Sequence, residues 1–287
     1  MNLVFSFDEN YIEVFKVFLY SIYSNHKNEK SIIYFLHDNM EEAQLFELRN
    51  EIERYSYIFH SINAQEFFKD SDKMTVNRYY TIEMYLWLFA PYLLPDDVER
   101  ALYLDPDIIN MNSIEKLYKK DFNNHLFIAM DYEVKNKFIQ PFNNLRLGTH
   151  FADHYFNAGV VLMNIKKLRA ERNPEEIIKA VLEKKPLLIL PDQDIFNALY
   201  NGSIKKESWE KYNMDPRLYQ IFQLLDQTNY SDEWIEKELV FIHYAGKNKP
   251  WLKRESYKMD LGKYYFAYEK NLADSYKRLD RIKKERI

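Results

Sequence analysis

Arg100-Ala101-Leu102-Tyr103-Leu104-Asp105-Pro106-Asp107-Ile108-Ile109 is the stretch that decides the fold class of this chain. An apolar run of strand length delivers two carboxylates, two positions apart, at its C-terminal end. Side chains at i and i+2 of an extended chain project the same way. Two like charges aimed at one point are unfavourable unless a cation sits between them or one is protonated. Pro106 has no N–H to donate, so the sheet ladder is expected to end there. Ligands of open α/β sheets bind at the carboxyl ends of strands, so a divalent metal is the favoured reading of Asp105 and Asp107. A solvated turn after an edge strand is the competing one.

Outward from this strand, apolar runs recur at 3–7, 32–37, 57–62, 101–104, 126–130 and 158–165, several followed by segments of helical period. In 11–24 the residues Ile12, Phe15, Phe18, Leu19 and Ile22 line one helix face, and 41–55 repeats the pattern with Ala43, Leu45, Phe46, Leu48 and Ile52. A third helix is expected over 80–90, stopped by Pro91 and Pro95. The first hundred residues therefore read β-α-β-α-β-α-β, the mark of an α/β sheet. Short helices are expected after Asn112 and Asn173, with a polar, irregular stretch over 135–153. Residues 264–287 read as a helix ending in a basic run.

Composition narrows the chemistry. The chain has 287 residues, 47% of them hydrophobic, enough for a large core. Its five glycines, Gly148, Gly159, Gly202, Gly246 and Gly262, are scattered, which excludes a Gly-rich phosphate cradle. With no cysteine, thiolate zinc sites, iron–sulfur clusters and thiol nucleophiles are excluded, and a reducing cytosol fits. A net charge of −4 gives no global attraction to nucleic acid, so no nucleic-acid partner is expected. The absence of a basic leader and of a long apolar stretch reads as a soluble, cytoplasmic protein.

Four further stretches carry polar groups at the borders of apolar elements. Phe241-Ile-His243-Tyr-Ala-Gly246-Lys-Asn-Lys249-Pro-Trp251 combines an imidazole, a backbone open to close approach and fixed positive charge, a set able to hold a diphosphate on a cation. His154-Tyr-Phe-Asn157-Ala158-Gly159 and Leu190-Pro-Asp192-Gln193-Asp194 offer amides and carboxylates suited to hydroxyl-rich ligands. Taken alone, Asn157 reads better as a turn residue and Asp192 as a helix N-cap. In Ser6-Phe-Asp8-Glu-Asn10-Tyr11, Asp8 and Tyr11 suit a nucleoside, or Asp8 caps the following helix.

In this order the motifs resemble a family 8 glycosyltransferase, collinear from residue 3 to about 251. The resemblance implies the type A nucleotide-sugar-transferase fold: a mixed, mainly parallel sheet flanked by helices, as a single domain with a C-terminal helical tail. It divides the chain into a catalytic domain over 1–251, with a nucleotide-binding half to about 112 and a sugar and acceptor half from 113, and a tail over 252–287. Ser6, Asp8, Asn10 and Tyr11 would contact uracil and ribose of a UDP-sugar. Asp105, Pro106 and Asp107 would lie at the diphosphate, with Asp105, Asp107 and His243 as ligands of manganese or, less suited to an imidazole, magnesium. Asn157, Ala158 and Asp192 would line the donor sugar, Gln193 would sit near the anomeric carbon, and Asp131 beside the sugar or acceptor. Gly246 and Lys249 would meet the phosphates.

The implied activity is retaining transfer of galactose or glucose from UDP to a glycan or glycolipid of the cell surface. Gln193 is a poor nucleophile, which favours a same-face internal return over a covalent intermediate. One position departs from the family pattern: Trp87 stands where an arginine reaches the donor, with Arg78 the nearby cation. Two other activities compete. A haloacid-dehalogenase-type phosphatase would need a Gly-Asp pair, and the sequence contains none; a silent UDP-sugar binder is the other. The tail either touches anionic lipid at the inner membrane face or packs as an ordinary helix.

Overall fold

The computed structural model describes residues 1–27, 29–68, 83–131, 133–149, 152–226 and 230–285. Nine strands are found among them: β1 (Asn2–Phe5), β2 (Ile32–His37), β3 (Ile58–Asn63), β4 (Ala101–Leu104), β5 (Ile108–Asn110), β6 (Phe127–Asp131), β7 (Phe156–Met163), β8 (Ile204–Glu207) and β9 (Phe241–His243). The chain forms two compact units from interleaved segments.

The first unit comprises Met1–Asn10, Glu29–Asp105 and Ile114–Trp209. Its seven-stranded sheet runs β3-β2-β1-β4-β7-β6-β8. Neighbours are parallel except where β7 meets β4 and β6, so the sheet is mixed and mainly parallel, as expected. β4 and β6 are buried along their whole length, which explains their uninterrupted apolar sequence. Helix Glu42–Glu53 packs on β3 and helix Pro191–Tyr200 on β7. The Trp87 ring lies parallel to Tyr103 at 5.0 Å and edge-on to Phe196 at 5.2 Å, and Phe196 meets Phe127 at 5.1 Å. Full burial of each such ring stabilises by roughly 1.5–3 kcal/mol.

The second unit comprises Tyr11–Asn28, Pro106–Ser113 and Glu210–Ile287. Here β5 pairs antiparallel with β9, and helix Ile12–Asn25 packs on β5 and on helix Gly262–Glu285. Tyr20 meets Tyr268 edge-on at 6.4 Å, and Asn25 donates to the Tyr268 hydroxyl at 3.0 Å. The tail's expected helix therefore packs on its own unit along its first turns.

Two local expectations are corrected. Over 83–93 the chain makes a helical turn Glu83–Leu86, a 3₁₀ turn Trp87–Phe89 and a helical turn Ala90–Leu93. Pro91 lies in the first turn of the last piece, where its missing N–H costs nothing, and does not stop the helix. Residues 80–82, which open that expected helix, lie outside the described residues. The stretch read as irregular contains helix Glu133–Leu147, with Pro141 inside it. Among its residues of described burial, Gln140, Asn143 and Leu147 are buried; with amides at two of these positions, apolar periodicity does not reveal it. Among the described residues, no helix is long and apolar enough to cross a membrane.

Candidate active site

The β5–β9 register sets Ile108 opposite His243, so strand pairing alone brings the imidazole beside Asp107. His243 Nε2 lies 3.1 Å from Asp107 Oδ1, and His243 Nδ1 meets Asn213 Oδ1 at 2.8 Å. With the amide so oriented its oxygen only accepts, so the proton sits on Nδ1 and Nε2 keeps its lone pair. Lys249 donates to Asp107 Oδ2 and, at 2.8 Å, to the Tyr244 carbonyl. Burial pushes the Asp107 carboxyl up, but the positive charge of Lys249 outweighs it and holds the group below the usual carboxylate range.

Asp105 precedes Asp107 by two residues, so its position relative to that pair is set by the chain through Pro106. The three residues Asp105, Asp107 and His243 each offer a ligand atom, all within 4.8 Å of one another. Two carboxylates and a neutral imidazole form a donor set for a divalent transition metal. The fit has a further mark: Asp107 Oδ1 is buried and makes no hydrogen bond, an expense a bound cation would remove.

Beside the same strand, the Tyr103 hydroxyl donates to Asp105 Oδ1 at 2.7 Å. Asp192 lies in the first turn of helix Pro191–Tyr200, whose N-cap position is Leu190, so it is not the cap. Instead its Oδ2 accepts the Trp87 indole N–H at 3.1 Å. Burial first, and then the charge of Asp105, push the Asp192 carboxyl up to about 7 against that hydrogen bond; its partial exposure tempers the effect. Trp87 is fully buried, and Arg78 lies outside the described residues.

Asn157 is in β7 rather than a turn. Its Nδ2 donates to Gln193 Oε1 at 3.0 Å, its Oδ1 accepts from Gly159 N at 2.8 Å, and Ala158 N reaches Gln193 Oε1 at 3.3 Å. Asp131, buried at the end of β6, accepts from His154 Nδ1 at 2.6 Å. Asp8 Oδ1 accepts from Asn10 N at 3.0 Å and so caps the turn Glu9–Tyr11, the local reading of that stretch. Ser6 and Pro106 are buried, while Asn10 is exposed. Tyr11 meets Trp251 edge-on at 6.4 Å. Gly246 has φ +82°, a left-handed backbone that favours glycine, and an added Cβ would lie 3.1 Å from Arg217 Nη1.

The sequence reading singled out Asp194 but not its partners. Asp194 accepts from Arg146 Nη1 and Nη2 at 2.6 and 2.8 Å, from the Tyr155 hydroxyl at 2.5 Å, and from Ile189 N and Leu190 N. That hub fixes the start of the helix bearing Asp192 and Gln193. Arg146 and Asn213 carry no sequence signal, because each acts through a partner 48 or 30 positions away.

Comparisons with known proteins bear on the family and the fold. The chain is 27% identical over 260 residues to the lipopolysaccharide 1,2-glucosyltransferase of Escherichia coli K12, covering 88% of this chain and 73% of that one. Over 175 residues it is 26% identical to the lipopolysaccharide 1,3-galactosyltransferase of Salmonella typhimurium, covering 58% and 50%. The solved structure of the galactosyltransferase LgtC, in complex with donor and acceptor sugar analogues, shares the fold with a TM-score of 0.74 at 22% identity, covering 94% of this chain and 96% of that chain. The profile of Glycosyl transferase family 8 matches residues 2–255, and the chain belongs to that family of glycosyltransferases.

Proposed function

We propose that this glycosyltransferase moves a hexose, glucose or galactose, from UDP to a lipopolysaccharide-type glycolipid with retention of configuration, in a manganese-dependent reaction. The named activities of the relatives support the substrate class. The observation that carries the reading is the convergence of Asp105, Asp107 and His243 within 4.8 Å. Those three residues would hold the ion. When bound, a divalent cation supplies neutralising charge to the UDP leaving group.

The chain's own residues do the rest. Lys249 adds a fixed positive charge for the diphosphate, and Gly246 lets the backbone approach it. Ser6, Asp8, Asn10, Tyr11 and Pro106 would contact the nucleotide. Asn157, Ala158 and Asp192 would hold sugar hydroxyls, Asp192 most effectively as a carboxylate oriented by Trp87, with Asp131 on the acceptor side. Gln193 Oε1, already held by Asn157 and Ala158, would stabilise positive charge building at the anomeric carbon. An amide there supports same-face transfer, in which the departing phosphate assists the acceptor that enters on its own face. The same reading takes 1–251 as the catalytic domain and 252–287 as a helical tail, with ordinary packing on the domain and contact of its basic end with anionic lipid at the inner membrane face as its two alternatives.

The test is release of UDP from UDP-glucose and UDP-galactose. Release that needs added Mn2+ and vanishes in Asp105→Ala and Asp107→Ala is expected; full activity after chelation would remove the metal role. Binding of UDP with no turnover of either donor would instead favour a silent binder, the reading that Trp87 in place of arginine favours.

A further inference from the structure

We infer that His154, held by Asp131, is the base that takes the proton from the attacking acceptor hydroxyl; this rests on the transferase reading above. Asp131 is 1% exposed and its carboxylate can only accept, so the 2.6 Å contact fixes the His154 proton on Nδ1. The lone pair is left on Nε2, which has no protein partner among the described residues. The imidazole side chain is 38% exposed and is anchored at Nδ1. This is the arrangement of an oriented general base, an imidazole aligned by a buried acid.

Its location is relevant to the chemistry. On the β6–β7 ladder Asp131 pairs with Phe156 and the adjacent rung pairs Met130 with Asn157, the residue that holds Gln193 at 3.0 Å. The backbone around His154 is braced: its carbonyl accepts from Gln140 Nε2 at 2.9 Å and from Asn201 Nδ2 at 2.7 Å. In the step, the acceptor O–H proton passes to His154 Nε2 as the acceptor oxygen bonds to the anomeric carbon. The bond from that carbon to the β-phosphate oxygen breaks, and UDP leaves with the electron pair; the imidazolium then releases its proton to solvent.

The experiment measures UDP release from UDP-galactose and UDP-glucose with water, and separately with sodium azide, as nucleophile. Azide needs no deprotonation. His154→Ala and His154→Gln should slow release into water about 100-fold, the usual worth of a positioned base, with UDP affinity by calorimetry unchanged. Added azide should restore their rates and yield the glycosyl azide. Release into water at the wild-type rate by both variants, or failure of azide to restore it in variants that bind UDP normally, would overturn the inference. Absence of release by the wild-type protein with either nucleophile would remove the transferase reading, and the base with it.

Discussion

The indole N–H of Trp87 donates to Asp192 Oδ2 across 3.1 Å, joining a fully buried aromatic core residue to a carboxylate of the proposed donor site. Trp87 has one polar hydrogen to give, and it makes a single neutral hydrogen bond. That bond favours the ionised form of Asp192. Trp87→Phe keeps an aromatic ring and removes the donor, so the titration of Asp192 should move further up. The midpoint of the kcat–pH profile should move upward with it, and superposable profiles for the two proteins would separate Trp87 from the chemistry.

The same carboxyl couples stability to pH. Its folded value of about 7 exceeds its ordinary 3.8, so between these limits the folded chain holds the proton longer than the unfolded chain. The contribution is full below about 3.8 and is lost as pH rises toward 7. Urea midpoints taken from pH 5 to 8 should fall less steeply in Asp192→Asn than in the wild-type protein.

Asn213 holds the imidazole in the tautomer that keeps a lone pair on Nε2. Partners that orient a metal-binding histidine typically contribute about 10–100-fold to affinity. Asn213→Ala should therefore weaken Mn2+ binding by about that factor, read by calorimetry in the presence of UDP. Asn213→Asp, which keeps an acceptor at the same place, should restore most of it. Equal affinity in all three proteins would count against an oriented His243.

Asp194 and Arg146 form a buried, bidentate pair that the chemistry does not use. Removing one charge leaves the other desolvated, typically at a cost of about 3–5 kcal/mol. Asp194→Asn should lower the urea midpoint correspondingly. A change below about 1 kcal/mol would mean that Tyr155 and the two backbone N–H groups suffice to hold the helix start.

Much of this was legible in the residues. Buried strands such as β4 and β6 announce themselves as apolar runs, and Asp105 and Asp107 follow β4 directly, so fold class and the proposed metal ligands emerged together. Helix Glu133–Leu147 did not, because two of its described buried side chains, Gln140 and Asn143, are amides. Pro91 misled for a related reason: a proline at a helix start resembles a proline at a helix end until backbone geometry tells them apart. His154 was visible only as one letter near Asn157; its contact with Asp131, 23 positions earlier, depends on a pairing between strands that no local pattern encodes.

The pairing of β5 with β9, and of helix Ile12–Asn25 with Gly262–Glu285, has a consequence for biosynthesis. The Asn25–Tyr268 hydrogen bond spans 243 positions, so an amphipathic helix emerges from the ribosome long before its covering surface has been translated. Loop closure over such a span is entropically slow. Until then its apolar face is a substrate for chaperones, and stalled nascent chains lacking residue 262 onward should be cut by protease within that helix, whereas the released full chain should resist.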